Sequence, residues 1–246
     1  MKKILAVVAL VCLFLNSCSD SEGNTKAANQ KGLGSSAHEL LSEDKFDSMI
    51  IEVVYVEGFE PSATALNNFK SFLENRVNKS GGITIQKRAI PSPGNESYTN
   101  AQIIAIEAAN RINYNEGSQI AVWAFFADAK SSSDTNTSVV LGTAYRNTSF
   151  VIYENTIKKM SGGLYKPSTT VLESTVIEHE FGHILGLTNA GTAMQTNHED
   201  ANHKRHCSNS SCLMYWEAES GTNLTGGTIP QLDAQCIADL QAFGGK

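Results

Sequence analysis

The run His179-Glu180-Phe181-Gly182-His183-Ile184-Leu185-Gly186 constrains this chain more than any other stretch. On a helix, residues four apart share a face, so His179 and His183 project side by side. Two neutral imidazoles so placed can hold one zinc ion, and Glu180 beside them has a carboxylate able to take a proton from a metal-bound water. The flanks read as a helix. Pro167 precedes Thr170-x-x-Glu173, a pair that predicts a capping box in the first turn. Leu172, Val176, Ile177, Phe181, Ile184 and Leu185 follow at spacings of mostly three and four, and Gly186 stands where a helix would stop. Five of the chain's six histidines (179, 183, 198, 203 and 206) cluster in this region, which a chance pair on a surface helix does not explain. The chemistry indicated is peptide hydrolysis by a zinc enzyme.

The N-terminus reads as an export signal. Lys2 and Lys3 precede an apolar run, Ile4 to Leu15, that is short for a bilayer span. Leu15-Asn16-Ser17-Cys18 resembles the lipobox of bacterial lipoproteins. The resemblance implies cleavage after residue 17, lipid on Cys18 and a lipid-anchored protein of the cell envelope, at the outer membrane and facing periplasm or surface. Residues 18–45 are rich in Ser, Gly, Asn and charge and read as a tether with a short helix at Ala37–Leu41. Losing Lys2 and Lys3 with the signal takes the formal net charge from −6 to −8, so no phosphate-binding surface and no nucleic-acid partner is expected. The membrane is expected to be reached only through the lipid, and the protein to be a monomer. The remaining stretch, 46–246, about 200 residues, is long enough to bury a core as one domain.

From Ser48 the pattern alternates. Met49–Val56 and Ile83–Ile90 read as strands, with an amphipathic helix from Pro61 to Val77 between them. A second helix, Tyr98–Ile112, opens on a capping-box pair, Thr99 and Gln102. Ile120–Ala127 is almost continuously apolar, as a strand buried on both faces should be. Ser138–Tyr145 and Thr148–Tyr153 then read as a hairpin-like pair about Arg146-Asn147. The expected class is α/β: a twisted, mostly parallel sheet with an antiparallel edge strand, then the motif helix, then a small C-terminal part with a helix near Pro230–Phe243. The expected division is 46–186 and 187–246.

That order, with His179, Glu180, His183 and Gly186, resembles the metzincin clan of zinc endopeptidases, whose signature continues to a third histidine and a methionine turn. The resemblance makes Met214 the turn methionine and Ser138–Tyr145 the strand on which substrate would add. Three residues past Gly186, where the clan places its third histidine, stands Asn189. The spacing His206-Cys207-x4-Cys212-x-Met214 is similar to that of archaemetzincins, and the similarity implies His206 as third ligand. His198, Asp200 and His203 are the alternatives, or could hold a second, structural ion. A gluzincin-type ligand would have to be Glu199 or Glu217, neither in a suitable helix. In some metzincins a tyrosine two residues after the methionine stabilises the oxyanion. Here Trp216 has that place and Tyr215 is adjacent, so both are expected to shape the pocket wall.

Archaemetzincins bind a second zinc through cysteines that include a C-x-x-C pair, which this chain lacks. In an oxidising envelope, Cys207, Cys212 and Cys236 are then expected to give one disulfide, preferably Cys207–Cys212, and one free thiol. The sequence reads as a zinc-dependent endopeptidase acting on protein or peptide, with Glu180 as its proton carrier. The alternative is a non-catalytic metal-binding envelope lipoprotein on the same scaffold.

Overall fold

The computed structural model describes residues 25–219 and 227–246. The expected signal over 1–17 and the expected lipidation of Cys18 lie outside the described residues.

Five strands form the main sheet: β1 (Ser48–Val56), β2 (Gly82–Ile90), β3 (Gln119–Phe126), β4 (Gly142–Arg146) and β5 (Ser149–Ile152), in the order β2-β1-β3-β5-β4. All pairings are parallel except β4 with β5, which run antiparallel and put β4 on the edge. This is the expected mostly parallel sheet. Its middle strands alternate between two cores, as side chains of period two must. Ile120, Val122, Ala124 and Phe126 of β3 enter one cluster, while Trp123 and Phe125 enter the other.

The first core lies under α2 (Ala63–Glu74), α5 (Thr169–Ile184) and α6 (Ala234–Ala242). The second lies beside α3 (Asn100–Asn110), whose N-terminus carries the expected capping box: Gln102 N donates to Thr99 Oγ1, and Thr99 N to Gln102 Oε1. α2 turns Leu66, Phe69, Phe72 and Leu73 inward, and Phe69 meets Phe181 of α5 edge-on at 5.2 Å between ring centroids. A further helix, α4 (Glu154–Met160), was not legible, because seven residues carry too little periodicity. The strand expected over Ser138–Tyr145 begins only at Gly142. Upstream, Val140 N bonds to Asp134 Oδ1 instead of extending the ladder.

Residues 25–45 do not behave as the tether their composition suggested. The short helix α1 (Ala37–Leu41) is present, and Leu40 and Leu41 are fully buried. Asn29, also fully buried, donates to Asn115 Oδ1 at 2.8 Å and to the Ala121 carbonyl at 2.9 Å. Farther along, Gly34 packs so closely on Ala190 that a side chain at 34 would overlap the Ala190 carbonyl. The segment thus joins the strand turn at Asn147 to the loop that follows α5.

Lys79 locks this segment down. Its ammonium donates to the carbonyls of Glu39 (3.0 Å), Phe46 (2.6 Å) and Ser42, so three donors meet three acceptors. Burial pulls its pKa down to about 8. Replacing Lys79 by Met strands those carbonyls, which should cost about 1–3 kcal/mol of stability towards urea. It should also open residues 39–47 to limited proteolysis. Unchanged cleavage of Lys79→Met would show that the three bonds do not hold the segment.

Candidate functional site

Helix α5 carries the motif and is buried from Leu172 to Ile184. Its cap differs from the expected one. Ser168, not Thr170, accepts from Val171 N, and Glu173 turns out of the helix to accept from Ser62 N at the start of α2. A carboxylate needed between two helices cannot also reach back to its own first turn. The C-terminus ends as expected: Gly186 has φ +79°, Gly186 N bonds to His183 O, and Leu187 N bonds to Gly182 O. A Cβ at Gly186 would stand 2.6 Å from Thr192 N, so glycine is required twice over.

His179, His183 and His206 come together, each with a ring nitrogen within 4.8 Å of the others. His179 Nδ1 lies 2.7 Å from the Leu213 carbonyl, and His206 Nδ1 lies 3.0 Å from the Lys204 carbonyl. Each carbonyl can only accept, so Nδ1 carries the proton and Nε2 is left as a lone-pair donor. The Nε2 atoms of His179 and His183 are 3.1 Å apart. Tetrahedral zinc with bonds of about 2.0–2.1 Å separates its nitrogens by roughly that distance. The donor set and spacing fit zinc.

His206 reaches this position across the loop of residues 187–205. Thr188 and Asn189 both adopt positive φ, which turns the chain away, and Asn189 is exposed. The chain returns at Arg205, where Thr188 Oγ1 donates to the Arg205 carbonyl. Asp200 N to His206 O and Cys207 N to Met214 O then fix the backbone on both sides. Met214 is fully buried against the motif helix, and a Cβ at Gly182 would lie 2.3 Å from its sulfur. Glu180 is 1% exposed and accepts from Ala144 N of β4 at 2.7 Å.

The other ligand candidates are engaged elsewhere. Asp200 Oδ1 accepts from the amides of His203 and Asn202, bonds that hold its carboxyl below the usual range. His203 stacks on Trp216 at 4.2 Å between centroids, and Trp216 in turn sits 5.9 Å from Tyr215. Glu199 accepts from Arg205 N.

His198 belongs to a second cluster. The expected disulfide is not found: Cys207, Cys212 and Cys236 are all free thiols, buried together. His198 Nδ1 lies 3.4 Å from Cys207 Sγ and 4.0 Å from Cys236 Sγ, while Cys212 Sγ and Cys236 Sγ are 3.6 Å apart. Ligands of tetrahedral zinc with sulfur bonds of about 2.3 Å stand roughly this far apart. Hydrogen bonds from Cys207 and Cys236 drive Cys212 towards the thiolate. Asp239 holds His198 Nε2 at 2.7 Å, which leaves Nδ1 facing the sulfurs. Asp233 belongs to the same cluster: its Oδ2 accepts from Cys207 Sγ at 3.3 Å, while its Oδ1 caps α6 at Gln235 and Cys236. The sequence carried a faint signal: Asp239 stands three residues after Cys236, where a C-x-x-C pair would have its second cysteine.

No protein-family model matches the chain, and no curated protein sequence does. Solved structures do. A zinc-dependent peptidase from Methanocorpusculum labreanum is 13% identical over 77% of this chain and 99% of its own, with a TM-score of 0.46. Metalloproteinase-II from Bacteroides fragilis is 11% identical over 82% of this chain and 54% of its own, at 0.43. The archaemetzincin of Methanopyrus kandleri is 15% identical over 80% of this chain and 96% of its own, with a TM-score of 0.54. The chain has the archaemetzincin fold.

Proposed function

We propose that this chain is a zinc-dependent endopeptidase whose metal is held by His179, His183 and His206. The reading rests on one observation: three imidazoles from two distant segments converge beside a buried glutamate. Zinc bound there would polarise a peptide carbonyl and acidify a water. Glu180 would take the proton from the attacking water and return it to the leaving amine, a transfer worth about 10²–10⁴ in rate. The bond from Ala144 N keeps its carboxylate beside β4, the edge on which an extended peptide would add as a further strand. Met214 would support the histidines from below. Trp216, braced by His203, would form one wall of the cleft with Tyr215.

A second zinc is proposed in a structural role at His198, Cys207 and Cys236, with Cys212 beside Cys236 as the fourth donor and Asp239 orienting the imidazole. Cys207 follows His206 directly and Cys212 lies two residues before Met214, so this ion would pin both segments that complete the catalytic site. With the signal and Cys18 lipid expected at the N-terminus, the enzyme would act at the cell envelope on protein or peptide.

In the Glu180→Ala variant, hydrolysis of an unfolded protein substrate should fall by about 10²–10⁴ while bound zinc stays at the wild-type level. Activity equal to wild type would remove Glu180 from the reaction, and loss of zinc would make it a structural residue. Metal analysis of the full chain should find two zinc ions, one for each cluster. Cys236→Ser should lose one of them with a marked drop in thermal stability, and His206→Ala should lose the other. One ion in the wild type, unaffected by Cys236→Ser, would exclude the second site.

A further inference from the structure

Two features of β4 concern Glu180 and no other group. The Ala144 amide donates to Glu180 Oε2 at 2.7 Å. Gly142, two residues earlier on the same edge, lies directly against the same side chain. A Cβ there would stand 2.6 Å from Glu180 Cγ, 2.7 Å from Oε1 and 2.9 Å from Cδ. Gly142 does not adopt positive φ, so its backbone conformation is open to any residue. A glycine also weakens a strand. Close approach of the carboxylate is what the position requires.

The pairing explains why both residues face the site. Tyr153 N bonds to Leu141 O, and antiparallel alternation then turns the amides of 142 and 144 away from β5. They point off the sheet edge, where that of Ala144 meets Glu180 of α5. We infer that Gly142 and the Ala144 amide position Glu180: one leaves the space for its carboxylate, the other fixes its angle. The inference rests on reading Glu180 as the proton carrier. It adds that the strand expected to seat the substrate also aims the base. Strand and carboxylate then share one register: Glu180 takes the outward amide of Ala144, and a peptide pairing elsewhere along β4 is placed relative to that carboxylate by backbone geometry.

Gly142→Ala tests this cleanly, because the atoms in its way are the end of a flexible side chain and the fold can survive their displacement. To regain ordinary contact the carboxylate must retreat by about 1 Å, a misplacement that can cost about 10²-fold. In the metal-free protein, exchange of the Ala144 amide should be slowed at least ~10-fold by its bond to Glu180. Glu180→Ala should abolish that protection, and Gly142→Ala should do the same. In the zinc-loaded protein, Gly142→Ala should lower kcat about 10²-fold, with KM within about 3-fold and zinc content unchanged. Against Glu180→Asp, whose carboxylate sits one methylene further back, the same change should cost less than about 10-fold. Retained Ala144 protection in Gly142→Ala, a rise in KM alone, or an equal loss in the aspartate background would each overturn the inference. If the wild type hydrolyses no peptide, the peptidase reading fails while the exchange result still decides this one.

Discussion

Inside a helix covered on every side, the Nε2 atoms of His179 and His183 face each other at 3.1 Å, and the rest of the site is arranged about them. The Leu213 carbonyl fixes the tautomer of His179 and so aims a lone pair at its neighbour. One cation would satisfy both rings and His206 together. Burying these polar rings on α5 costs free energy that tertiary contacts offset, so the helix needs both the packing of α2 and the downstream segment. The same requirement gives Gly182 its meaning, since only a residue without a side chain lets Met214 lie against the helix.

Among its described residues, the downstream segment between Thr188 and Asp233 forms isolated bridges and one short 3-10 turn at Trp216–Glu219. Such a stretch holds its shape through contacts with the rest of the fold, and the sulfur cluster is one place where they meet. His198 from the loop after α5, Cys207 next to His206, and Cys236 of α6 meet in one buried place, with Cys212 beside Cys236. The N-terminal segment supports the same region from the other side, through Gly34 on Ala190 and Ala37 near Gly186. The geometry of the histidine site therefore depends on residues far from the motif in sequence.

What was legible in the sequence follows from how local each cause is. The α5 helix, the capping box at Thr99 and the stop at Gly186 are set within a few residues, and they read correctly. The inner strands β1, β3 and β5 read correctly because runs buried on two faces leave a composition signal, whereas the mostly exposed edge strand β2 read from its position after the Gly-Gly break. The segment over residues 25–45 was misread because its glycines and serines serve sharp turns against a distant surface, and composition alone also describes a tether. Thr170 lost its role as cap because Glu173 is recruited by Ser62, over a hundred residues earlier. The disulfide expectation considered the cysteines alone, whereas His198, from the loop after α5, completes their surroundings. His206 was reachable through family spacing and not through periodicity. Gly142 gave no sequence signal at all, since its constraint is one carboxylate from another element.

Diffraction from zinc-loaded crystals, measured on both sides of the zinc absorption edge, decides whether one ion sits where the three imidazoles converge. An anomalous peak is expected about 2.0–2.1 Å from Nε2 of each of His179, His183 and His206. A density map with no peak there, or with His206 turned away and another residue in its place, would contradict it.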